Sequence, residues 1–172
     1  MHDPYDHLPK AGSFTVTSTD VVNGEPLPTP QMSGVFGAGG EDVSPQLTWS
    51  GFPEGTRSFA VTMYDPDAPT PGGWWHWAVH DIPAAVTSLP TGAGSGEGMP
   101  EGAIQLPVDG GVVGFAGAAP PVGHGPHRYF IVVSALDVES LGVAPGSSPA
   151  VQGMHMFEHT LARARLIVTA ER

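Results

Sequence analysis

Glycine and proline punctuate this chain at one residue in four, 24 and 19 of 172, and no other feature constrains its fold as strongly. Each proline removes a backbone donor and fixes φ, and each glycine weakens a helix interior, so long helices are excluded from most of the length. Composition this rich in Gly and Pro approaches that of low-complexity chains, but hydrophobic residues at 40% supply a core, and the two together read as a folded, turn-rich chain. A length of 172 residues fits one domain, here a loose arm over residues 1–12 followed by a single domain over 13–172.

Between the turns lie short segments with strand character. Phe14 to Ser18 alternates, Leu47-Thr48-Trp49 follows a Gly-rich connector, and Ser58 to Tyr64 and Arg128 to Leu136 are β-branched and aromatic runs without a helical period. Trp74 to His80 alternates, which predicts His76, Ala78 and His80 on one face and Trp75, Trp77 and Val79 on the other. Near the end, Val151, Met154, Phe157, Glu158 and Leu161 recur at helical offsets, predicting a helix from about Ser148 to Arg165. The fold expected from this pattern is mainly β and mainly antiparallel, with one or two helices near the C-terminus.

Six Lys and Arg against 17 Asp and Glu leave a net charge of −11, too few cations to line a nucleic-acid groove. With no cysteine, disulfides, thiol nucleophiles and Cys-based metal sites are excluded. MHDPYDHLPK carries acids and prolines where a secretory signal has basic residues and then an apolar run, so a cytoplasmic protein without membrane insertion is expected.

Familiar catalytic patterns fail on inspection. Gly92-Ala93-Gly94-Ser95-Gly96 misses a nucleophile elbow, and Lys10, the sole lysine, lies far from any phosphate-cradling glycine loop. His155-Met156-Phe157-Glu158-His159 matches H-x-x-E-H but lacks a downstream third ligand, so two ordinary histidines are expected there. A richer set remains: Asp65-Pro66-Asp67-Ala68-Pro69, then Trp74-Trp75-His76-Trp77, then Pro120-Pro121-Val122-Gly123-His124-Gly125-Pro126-His127-Arg128-Tyr129. Asp before Pro also commonly caps a turn, and the Asp and His side chains have ligand types that suit zinc, although no metal or other cofactor is expected.

In this order those three segments resemble the phosphatidylethanolamine-binding protein family, in its bacterial Raf kinase inhibitor-like branch, with actinobacterial members especially similar. Ser44 to Trp49, Gly55 to Ser58 and His159 to Ala162 extend the resemblance over most of residues 13–165. The resemblance implies two antiparallel sheets with Greek-key topology, a cis peptide at Ala68-Pro69 and a small anion pocket. It also implies that Asp65, Asp67, His76, His127 and Tyr129 bind ligand, and that Pro69, Trp75, Ala119, Pro120, Pro121, Gly123 and Arg128 form the loop and rim. Phe115 stands where tyrosine is usual, Ala119 where glycine is common, and residues 166–170 lack the usual Gly-x-Tyr, so a C-terminal lid is not expected.

A nearby carboxylate favours imidazolium, so His76 and His127, oriented by the aspartates, would donate to phosphate oxygens. Asp65 and Asp67 would lie about 7 Å apart on one face if the segment stays extended. One would orient a histidine and the other meet a ligand ammonium, with Trp75 or Trp77 as an aromatic wall.

The function expected is non-enzymatic recognition of a phosphate-bearing ligand: a phosphoethanolamine-type headgroup, a phosphorylated metabolite or a phosphorylated side chain. Alternatives are inhibition of a protein kinase or serine protease through the pocket rim, or weak phosphoester hydrolysis or lysis with His76 and Asp67 as acid and base. A sheet edge could also pair with a second copy, giving a homodimer.

Overall fold

A computed structural model describes residues 2–172; Met1, at the start of the expected arm, lies outside the described residues. In chain order the strands are β1 (Gly12–Ser13), β2 (Thr15–Thr17), β3 (Leu47–Ser50), β4 (Ser58–Asp65), β5 (Trp74–Pro83), β6 (Ser88–Leu89), β7 (Ile104–Gln105), β8 (His127–Leu136) and β9 (Thr160–Ala170), with helix α1 (Pro149–Met156) between the last two. They form a six-stranded sheet ordered β1-β9-β8-β4-β5-β7 and a three-stranded sheet ordered β2-β3-β6.

β4 and β8 sit at the centre of the larger sheet because nearly all their side chains are buried, as their unbroken apolar runs require. β5 and then β7 follow β4 antiparallel, and β8 returns to β4's other side, which is the Greek-key arrangement. The larger sheet is mixed, not purely antiparallel, because β1 pairs parallel to β9. No tight turn joins those two strands, so chain connectivity does not impose an antiparallel direction. The main core fills the space between the sheets; Phe59 packs edge-on to Trp49 at 5.3 Å and to Phe52 at 4.8 Å.

The predicted helix over Ser148 to Arg165 is corrected: α1 ends at Met156, and β9 runs from Thr160. Ala162, Ala164, Leu166, Val168 and Ala170 are buried in alternation, a period of two that lets β9 pair with the whole length of β8. Ser148 caps the helix, its hydroxyl accepting from the Val151 N–H. The helix rests on Gln152, whose amide donates to the Val79 carbonyl at 3.3 Å, while Met154 and Phe157, which recur at helical offsets, are 74% and 53% exposed.

The arm is docked, not loose. Tyr5 packs on Phe130 at 6.0 Å, Asp3 pairs with Arg165, and Arg128 and Arg163 donate to the His2 and Pro9 carbonyls. Among the described residues no helix is long and apolar enough to cross a membrane.

Candidate functional site

Because β4 is antiparallel to both its neighbours, the C-terminal end of β4 and the N-terminal ends of β5 and β8 meet at one end of the sheet. That brings Asp65, Trp74, His76, His127 and Tyr129 together from three distant segments. A cavity of about 430 Å³ opens there, lined by Asp65, His76 and Tyr129 at its polar part and by Pro69, Trp74, Phe115, Ala119, Pro120 and Pro121 among its walls.

His76 reaches the cavity through an irregularity that alternation does not foresee. The β4–β5 register shifts between Met63 and Tyr64, which pair with Trp77 and Trp75, so His76 bulges out of the ladder. The predicted faces are thereby corrected. His76 joins Trp77 and Val79 on the inner side, while Trp75 stacks on Tyr64 at 4.4 Å on the outer side, away from the cavity. Trp74 takes the wall position expected of Trp75.

His76 is clamped both ways to Ala116: its Nδ1–H donates to the Ala116 carbonyl at 2.9 Å, and its own carbonyl accepts the Ala116 N–H at 2.8 Å. This fixes the tautomer and leaves Nε2 as an acceptor. Burial lowers its pKa below the usual histidine range, so His76 is a neutral ring and not the imidazolium expected. It meets Tyr129 edge to face at 5.3 Å. Tyr129 is fully buried, its hydroxyl lies near the Asp65 carboxylate without a well-formed hydrogen bond among the described residues, and burial together with the Asp65 charge pushes its pKa up, so it stays a neutral donor. The Ala119 N–H likewise makes no hydrogen bond within the described residues.

Behind this floor runs a relay. Asp65 Oδ1 accepts the Asp67 N–H at 2.8 Å, and Asp65 Oδ2 accepts from His127 Nδ1 at 2.7 Å. His127 Nε2 in turn shares a hydrogen bond with His124 Nδ1 at 2.7 Å. His127 is thus a buried orienting partner of Asp65 and not part of the cavity lining, and His124, which no expectation placed there, occupies its second nitrogen.

Asp67 and Arg128 are corrected as well. The chain turns after Asp65, so the two carboxylates do not share a face. Asp67 is gripped by Arg128 through Nε and Nη2, both at 2.8 Å, and through the backbone N–H at 2.9 Å. The guanidinium beside Asp67 holds its carboxyl below the usual carboxylate range. This pair ties the loop to β8 and to the arm; neither residue lines the cavity.

The expected cis peptide at Ala68-Pro69 is absent: every peptide bond among the described residues is trans. The reversal comes instead from the Asp65 carboxylate holding the Asp67 N–H, a Thr70 N–H to Ala68 carbonyl bond at 2.7 Å, and Gly73 at φ 64°. The H-x-x-E-H histidines diverge, His155 to the Leu141 carbonyl and His159 to Asp137.

Sequence reasoning missed the outer wall. Val35 and Phe36 border the cavity, and Asp42 holds the Gly117 N–H at 2.8 Å and the Gly34 N–H at 2.9 Å. Contrary to expectation the C-terminal segment does brace the pocket loop: Arg172 donates to the Pro120 and Phe36 carbonyls at 2.7 and 3.0 Å, and its own carbonyl accepts the N–H of Gly123, which stands outside the lining. No local motif announces these partners.

The sequence profile of the phosphatidylethanolamine-binding proteins matches residues 17–171. The chain is 49% identical to the UPF0098 protein YbcL of Escherichia coli over 159 residues, 91% of this chain and 87% of that protein. It is 46% identical to E. coli YbhB over 150 residues, 87% and 94% of the two chains. The crystal structure of E. coli YbcL superposes with a TM-score of 0.90 at 48% identity, covering 94% of this chain and 99% of that one. A family homolog from Chlamydia trachomatis superposes with a TM-score of 0.78 at 28% identity, covering 94% and 99%. A profile that spans nearly the whole chain, and relatives that share almost half its residues over nearly their full length, make it a member of the phosphatidylethanolamine-binding protein family.

Proposed function

We propose that the cavity binds, without converting, the phosphate end of a small ligand, of the phosphoethanolamine, phosphometabolite or phosphorylated side-chain type. The observation that carries this reading is the buried, unpaired hydroxyl of Tyr129 on the cavity floor beside the acceptor nitrogen of His76. Leaving a buried donor unmade costs about 1–3 kcal/mol, which a ligand oxygen recovers.

A phosphomonoester monoanion suits this pair. Its P–OH donates to His76 Nε2 while its bare oxygens accept from Tyr129 and from the Ala119 N–H. Asp65 lines the same cavity and would repel a dianion, so the singly charged form is favoured. The apolar walls take the organic remainder of the ligand.

Calorimetric titration with phosphate and with O-phosphorylethanolamine at pH 6 and pH 8 tests this reading. Affinity is expected to fall from pH 6 to pH 8, because the second phosphate ionisation lies near about pH 6. Tyr129→Phe removes only the hydroxyl and is expected to weaken binding by at least about tenfold, given about 1.5–3 kcal/mol for a hydrogen bond to a charged group. No heat at either pH, or full affinity in Tyr129→Phe, overturns it.

A further inference from the structure

The outer face of the six-stranded sheet holds a second cavity, of about 310 Å³, between the arm at Pro4 to Pro9 and helix α1. It lies across the sheet from the first: Thr62 and Tyr64 of β4 point into it, whereas Asp65 points into the other. Its floor is a polar row crossing the sheet, from Gln152 over β5 through Thr62 on β4 and Ser134 on β8 to Arg163 on β9. Thr62 lies opposite Val132, two residues along β8 from Ser134, so the row is diagonal, and two strand spacings with that offset put about 12 Å between Thr62 and Arg163. Ser134 and Arg163 are directly paired across β8 and β9.

The charge pattern says what the groove takes. The chain has 17 Asp and Glu residues, and none lines this groove. Arg57, Arg128 and Arg165 each have a carboxylate partner, but Arg163 has none among the described residues. Its one hydrogen bond runs from Nη1 to the Pro9 carbonyl at 3.2 Å, and the Tyr5 ring lies 6.0 Å beneath it. Arg128 grips Asp67 with its Nε and Nη2; the same edge of Arg163 has no partner among the described residues. That planar two-donor edge matches the two oxygens of a carboxylate.

His7 and Thr160 also line the groove, and the remainder is largely apolar. Tyr64, Trp75 and Met156 form its walls, and Met154 and Phe157 stand at its lip, 74% and 53% exposed. Side chains of that size left in water mark a surface that gains from being covered. A single guanidinium on a chain of net charge −11 favours a monoanion over a multiply charged ligand.

We propose that this groove is a second binding site, separate from the phosphate cavity, for an aliphatic monocarboxylate. Its carboxylate sits on the free edge of Arg163, with the Ser134 hydroxyl beside it, and its chain lies toward Met154 and Phe157. A fatty acid of medium length matches the groove in extent.

The test is titration with hexanoate, octanoate and decanoate, followed by calorimetry and by tryptophan fluorescence, with decyltrimethylammonium as the cationic control. Saturable one-to-one binding is expected, tightening by about fourfold per added methylene. Arg163→Gln is expected to weaken decanoate at least tenfold, and decyltrimethylammonium not to bind. Phe157→Ser, at an exposed position with no stake in the core, is expected to weaken decanoate more than hexanoate. Saturating O-phosphorylethanolamine and the Tyr129→Phe variant are expected to leave decanoate affinity unchanged. Undiminished binding in Arg163→Gln, equal binding of the cation, or displacement by O-phosphorylethanolamine overturns the proposal. So does a concentration-dependent dimer, dissolved by Met154→Asp, in a protein that takes up no decanoate, since the face would then belong to a second copy.

Discussion

Asp67 and His76 border the same loop with opposite electrostatic problems. Asp67 is held as a carboxylate by three bonds from Arg128, so its pKa falls on folding. Its stabilisation is fully present above the unfolded value of about 3.9 and is lost as pH drops through the lower folded value. Asp67→Asn is expected to cost about 1–2 kcal/mol in urea unfolding at pH 7, a figure held down by the pair's partial exposure. That difference from the parent is expected to close below about pH 4, and phosphate affinity is expected not to change. His76 has its pKa lowered by burial, so the unfolded chain takes up a proton first. Its contribution is intact above about pH 6.5 and erodes as pH falls below that value. Thermal melts of His76→Asn are therefore expected to show a smaller loss of Tm from pH 7 to pH 5 than the parent.

At the scale of elements, the loop from Ala116 to Ala119 is fixed by a close approach that only glycine permits. A Cβ on Gly117 would lie 2.4 Å from the carbonyl carbon and oxygen of Met32, which are backbone and cannot swing away. Gly117→Ala is expected to destabilise by about 3 kcal/mol and to abolish phosphate binding, read by urea unfolding and calorimetry. At α1, Ser148→Ala removes the N-cap and is expected to cost about 1 kcal/mol by the same unfolding measurement. The two β-branched and aromatic runs without a helical period, β4 and β8, are the central strands, because burial on two faces leaves an unambiguous pattern. β9 is masked in the sequence because Met154, Phe157 and Leu161 imitate a helical stripe, while the alternation of Ala162, Ala164 and Leu166 is weakly contrasted by small alanines.

At the scale of the molecule, one sheet separates two cavities, the first between the sheet's end and the loops, the second beneath the arm and α1. The arm closes only the second. A chain lacking residues 1–10 is expected to stay folded, since the main core contains none of residues 2–10. It forfeits the Tyr5 packing and the Asp3–Arg165 pair, and its Tm is expected to fall by about 5 °C for about 2 kcal/mol lost. Calorimetry on the same truncated chain is expected to retain phosphate binding and to lose decanoate binding.

The β-rich class and the buried strands are legible in turn residues and apolar runs, which are local properties, and the segments that supply the cavity only through the family resemblance carried by the order of the three motifs. Which side chains line the cavity is settled only by tertiary packing. The β5 bulge turns His76 inward and leaves Trp75 outside, and Arg128, adjacent in sequence to His127, reaches across to claim Asp67. His124 and Asp65 likewise take both nitrogens of His127 and place it behind the floor. Each of those outcomes is a competition among partners as many as 62 residues apart, settled by register and burial, which no short stretch of sequence encodes.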